Sequence, residues 1–215
     1  MNPEIARKFE ANQEIGTEVS NDKLGMWIFL ASEVIFFAAL IAAAVSLRMR
    51  NPVEWHEHLR AAFPEAGLAT GILATVNTFI LVMSSVFVVS AIDAIRQGKT
   101  GMMKLWLWLT LLGGCIFLYI QSLEWEELSH GMHEVTHMSG FEGATESMFG
   151  AAFYTLTGFH GAHVFIGVLL LLWVMIRAYR GDFTSDNYNG LEMWGLYWHF
   201  VDLVWIILFT VLYLI

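Results

Sequence analysis

Charged side chains are scarce in this sequence. They make up 14% of its 215 residues, against about 25% in an average soluble domain, so an ordinary soluble fold is excluded. Positive charge is the scarcer sign. Eleven Lys and Arg face twenty Asp and Glu, for a net charge of −9. No basic patch exists to meet phosphates, which excludes nucleic acid as a partner. Cysteine is nearly absent. The single Cys115 lies in an apolar run, so no intrachain disulfide can form and the redox compartment cannot be read. The first 23 residues lack a basic stretch followed by a short apolar core, so they are not a signal peptide. With Glu4, Glu10, Glu14, Glu18 and Asp22, residues 1–23 read as a polar cytoplasmic tail. Internal repeats are also missing, and without two matching halves an inverted-repeat transporter is disfavoured.

What the sequence has in abundance is long apolar runs. The hydrophobic share is 57% and the mean hydropathy is +0.57. A bilayer core of about 30 Å needs roughly 20 apolar residues in a helix. Five runs qualify: 24–47, 68–92, 105–123, 149–176 and 193–215. They are too long, and alternate too little, for membrane strands. The expected fold is therefore all-α, one five-helix membrane bundle over 24–215. Trp27, Trp106, Trp125, Tyr179 and Trp194 stand near run ends, where aromatic rings favour the headgroup zone. Arg7, Lys8, Lys23, Arg96, Lys99, Lys104, Arg177 and Arg180 fall on one side, and only Arg48, Arg50 and Arg60 on the other. The richer side is cytoplasmic, which puts the N-terminus inside and the C-terminus outside. The third connection, 124–148, has no Lys or Arg and reads as an outer loop. Small residues (Ala38, Ala39, Ala42 to Ala44, Gly113, Gly114, Gly158, Gly161, Gly167) should let helix backbones approach.

Few residues within the runs can carry chemistry. Glu33 lies about a third of the way into the first run. A carboxyl there is costly, so it is protonated or paired; it is either a helix-bridging group or a proton-relay site. His160 and His163 share a helix face by their spacing of three, as do His199 and Asp202. His160, His163, His199 and Glu33 form a conceivable metal set, but helix-bridging hydrogen bonds are the favoured reading. A bis-His haem is poorly supported. Asn77, Thr78, Ser84, Ser85, Gln121 and Glu124 read as bundle glue, although they could line a water path. His130, His133 and His137 would align on one helical face and suit zinc or copper, but a solvated acidic loop is the favoured reading. An independent membrane metalloprotein and a small channel or transporter gated by Glu33 are the competing functions.

Several segments together resemble subunit III of cytochrome c oxidase, within the haem–copper terminal oxidases. They are Met26-Trp27-Ile28-Phe29-Leu30-Ala31-Ser32-Glu33, Asn77-Thr78 with Ser84-Ser85, and Gln121-x-x-Glu124. The most specific are Thr157-Gly158-Phe159-His160-Gly161-Ala162-His163-Val164 and Tyr197-Trp198-His199-Phe200-Val201-Asp202-Leu203-Val204-Trp205. The similarity runs from Gly25 to the C-terminus. It implies a multi-pass subunit of a bacterial-type cell membrane with no catalytic, cofactor-binding or metal-binding residue of its own. Haem and copper would sit in partner subunits, with direct packing on subunit I near a proton-uptake entrance and contact with subunit II and other subunits. Bound phospholipid and protection from turnover-linked inactivation are implied too. The complex reduces dioxygen to water and pumps protons. Glu33 matches the family's intramembrane carboxylate and His163 its neighbour; with His160, His199, Asp202 and Glu124 they form the implied polar network. Longer members have seven helices and a lipid-filled cleft, and this chain begins at what would be their third helix. The histidines from His130 to His137 depart from the pattern. Five-helix relatives occur in quinol oxidases and beside nitric oxide reductases. Glu rather than Asp at 33, and Phe159 before His160, favour the cytochrome c type.

Overall fold

The computed structural model describes residues 21–50, 52, 69–139 and 148–214, and their side chains except at 21–22, 69–72, 127–149 and 214. Five helices follow in order: α1 Asn21–Arg50, α2 Ala69–Arg96, α3 Thr100–Ser139, α4 Met148–Arg180 and α5 Asn189–Phe209. A π-helical turn, Thr210–Leu214, continues α5. All five helices are long and apolar enough to cross a membrane, and the described residues contain no strand.

Two helix ends show how local chemistry sets the path. Gly98 takes φ 72° after α2 and Gly181 takes φ 83° after α4, a left-handed conformation that glycine adopts without a Cβ clash. At the first, Gly98 N–H donates to Ile95 O and Lys99 N–H to Ala94 O, both at 2.8 Å. At the second, Gly181 N–H donates to Ala178 O and Asp182 N–H to Arg177 O. Both are Schellman closures, which satisfy the last carbonyls and reverse the chain.

Helix α5 lies at the centre, packed against α1, α2 and α4, while α3 packs on α2 and α4. The apolar core window of α5 is 56% buried and that of α1 only 17%. Trp198 and Trp205 of α5 are wholly enclosed. At one end of the bundle Glu192 of α5 ties Lys23 of α1, at 2.7 Å, to Arg96 of α2, at 2.6 Å.

Several expectations are corrected. Helix α1 begins at Asn21, three residues before the first apolar run; residues 1–20 lie outside those described. The third connection is not a loop from 124: α3 stays helical to Ser139, because polar helix formers such as Glu126 and Glu127 continue the backbone ladder where hydropathy drops. The side chains of His130, His133 and His137 lie outside those described. Trp194 is 4% exposed and its indole donates to Gly167 O; it is core, not headgroup belt, because α5 is surrounded. Ala38, Ala39, Ala42 and Ala43 are exposed and only Ala44 is buried, since α1 touches the bundle along one edge. Gly113, Gly114 and Gly167 do serve close approach, the first against Ser84 and the other two against Trp198.

Candidate functional site

Aromatic packing brings α1 onto α4. Phe36 meets Phe159 edge-on and Phe37 meets the His163 ring in the same way. That contact sets Glu33 Oε2 at 3.2 Å from His163 Nε2. The other ring nitrogen, Nδ1, lies 2.7 Å from the carbonyl of Phe159. A carbonyl only accepts, so Nδ1 carries a hydrogen. If the ring is neutral, Nε2 is an acceptor and Glu33 must supply the proton. If Glu33 is ionised, the ring must be an imidazolium. In both forms the pair shares one proton between two helices, near the bundle edge. Tyr197 of α5 fastens the arrangement by donating its hydroxyl to His163 O at 2.9 Å.

Ser85 of α2 organises a second set. Its hydroxyl donates to Asp202, and His199 Nδ1 lies 2.9 Å from the same oxygen. Since the hydroxyl hydrogen points at Asp202, His199 donates to Ser85. His199 also lines an apolar groove of about 590 Å³ between α1 and α5, with Trp27, Val34 and Leu203 among its walls.

A third set lies wholly inside. Asn77, Glu124, Thr157 and His160 are 0% exposed and Gln121 4%. The His160 ring stacks on Trp205 at 4.8 Å and stands edge-on to Phe117 at 5.7 Å. Glu124 accepts from Tyr213, and Trp125 donates to Thr157. His160, His163, His199 and Glu33 are therefore not gathered at one point. Among the described residues no three His, Cys, Asp or Glu side chains are grouped to hold a metal ion.

A family model described as cytochrome c oxidase subunit III matches residues 14–215. The chain belongs to the cytochrome c oxidase subunit III family. A subunit 3 from Thermostichus vulcanus is 37% identical over 89% of this chain and 86% of its own length. One from Bacillus subtilis is 36% identical over 97% of this chain and 94% of its own. A probable quinol oxidase subunit 3 from Staphylococcus saprophyticus is 32% identical over 90% and 89%. As a subunit III, the chain is a multi-pass integral membrane protein and part of a haem–copper oxidase, an oxidoreductase complex, where it associates with the other subunits. The Glu33–His163 contact of this subunit III is the one the resemblance implied. Tyr197 and Trp205 stand in the sequence only as parts of a motif and Tyr213 not at all, yet all three hold the polar groups in place. A tyrosine near a run end carries the same signal whether it faces lipid or bundle.

Proposed function

We propose that this chain is the non-redox third subunit of an oxidase of the cytochrome c type, reducing dioxygen to water with proton pumping. It holds no catalytic centre; haem and copper sit in partner chains. It packs directly on subunit I, meets subunit II and other subunits, retains phospholipid, and sustains proton uptake. The N-terminal tail, residues 1–23, is cytoplasmic and the C-terminus lies outside. The observation that carries this reading is the separate engagement of the membrane histidines. His163 is paired with Glu33, His199 with Ser85, and His160 is held between Phe117 and Trp205. Such a bundle acts through packing, lipid and local proton supply. Glu33 with Phe159 favours cytochrome c over quinol as donor.

The test is oxygen consumption by the purified complex, with and without this subunit, over many turnovers. Initial activity should be retained without it and then decay, since slower proton delivery lengthens the life of reactive oxygen intermediates. Glu33→Ala should be milder than removal, because one hydrogen-bonding group is lost and the bundle stays. No activity in the first turnovers, despite intact haem and copper spectra, would mean a larger role. Full activity held indefinitely would remove the protective one.

A further inference from the structure

The interior set contains more polar atoms than it satisfies. Asn77 donates its amide to Phe117 O at 3.4 Å, yet its Oδ1 has no partner. Both amide atoms of Gln121 and both ring nitrogens of His160 are also unpartnered. These are five atoms in three side chains on α2, α3 and α4, all enclosed. Exchanging the amide ends of Asn77 or Gln121 does not help, because each still leaves a group unmet. Buried polar atoms in native proteins find a partner, either protein or ordered water.

Phe117 of α3 links the three side chains. Phe117 accepts from Asn77 and meets the His160 ring edge-on. Gln121 lies one helical turn beyond Phe117, on the same face of α3. Trp205 closes the far side: its ring touches both Phe117 and His160, and its indole donates to Thr78, next to Asn77. One face of the imidazole is therefore covered by Trp205, Phe117 stands nearly perpendicular to the ring, and both ring nitrogens are buried without a partner. Donors and acceptors are both present: amide N–H of Gln121, carbonyl oxygens of Asn77 and Gln121, and one of each on a neutral imidazole. That mixture suits a ligand that donates and accepts at once, and no net charge is needed.

We propose that Asn77, Gln121 and His160 form a binding seat for water inside the bundle, between α2, α3 and α4. A buried water makes about three hydrogen bonds, so five unmet atoms are served by about two molecules. The seat is separate from the Glu33–His163 pair, and its water bridges the three helices.

X-ray hydroxyl-radical footprinting of the intact oxidase tests the seat, because radicals made from trapped water label only the side chains beside it. Phe117 and Trp205 should be labelled several-fold faster than Trp194, which is as enclosed but has its indole paired to Gly167 O. In the double variant Asn77→Leu with Gln121→Leu, three of the five atoms are gone and that excess labelling should disappear. Equal labelling of Phe117, Trp205 and Trp194 in the unmodified complex overturns the proposal. So does excess labelling that persists in the variant. If the variant fails to assemble, the comparison within the unmodified complex decides alone.

Discussion

At the scale of single residues, contact with Trp198 separates two glycines of the same helix. A Cβ at Gly167 would lie 2.8 Å from a ring carbon of Trp198 and 3.2 Å from Tyr197, while one at Gly161 meets nothing within 4 Å. The indole is fully enclosed and its N–H is held by Ser84 at 2.9 Å, so it has nowhere to go. Gly167→Ala should therefore cost about 1–3 kcal/mol, the usual range for overpacking, and Gly161→Ala less than about 0.5 kcal/mol. Retention of the subunit through graded detergent treatment measures both; equal retention would refute the assignment. Two serines of α2 give a parallel pair. Ser85 serves both Asp202 and His199, whereas Ser90 only returns its hydroxyl to Val86 O of its own helix. Ser85→Ala strips Asp202 of its partner and should cost about 1–3 kcal/mol, with Ser90→Ala near neutral in the same assay. The sequence exposed part of this. Glu33 and His163 pair at compatible depths in the bilayer, a matter of rise per residue that spacing reveals. That Ser85 joins two residues of α5, or that His160 turns inward while His163 turns to α1, depends on helix rotation, which no run of apolar residues encodes.

At the scale of elements, the existence of all five helices was legible because each exceeds the bilayer thickness. Their ends were not. Hydropathy marks where a helix leaves lipid, whereas the helix stops where its backbone bonds stop, as at Gly98 and Gly181. Helix α3 shows the gap most clearly, running 16 residues past the expected end at 123. Helix α1 differs from the others in attachment. It is held by the Glu33–His163 bond, four aromatic contacts to α4 and α5, the Lys23–Glu192 ion pair, and Arg48 on Val211 O. Partly exposed ion pairs contribute about 0–1 kcal/mol, so most of its hold is in the middle. In the subunit freed from the complex by mild detergent, amides of α1 should exchange with deuterium before those of α2 to α5. Mass spectrometry resolves this, and one common rate for all five helices would contradict it.

At the scale of the whole molecule, Lys23, Arg96 and Glu192 meet at one end of the bundle, the end where the Lys and Arg surplus accumulates. Reporter fusions after Gly98 and after Gly140 should therefore report opposite sides of the membrane, with Gly98 cytoplasmic; one compartment for both would sink the topology. The central place of α5 also has a meaning in time. The substantial contacts of α1 are with α4 and α5, the last helices to be synthesised. Roughly 100 residues separate Arg50 from Met148, on the order of 5–20 s of translation at ~5–20 residues per second. For that interval α1 waits in the bilayer without its neighbours, and Glu33 without His163. A nascent chain that stalls in this window displays an unmatched carboxyl within the lipid, a signal that membrane proteases can act on. Chains stopped after Ser139 should thus be cleared faster than the full chain in a pulse-chase experiment, and Glu33→Leu should lengthen the half-life of the stopped chain. Equal half-lives for all three would show that this waiting period leaves no trace.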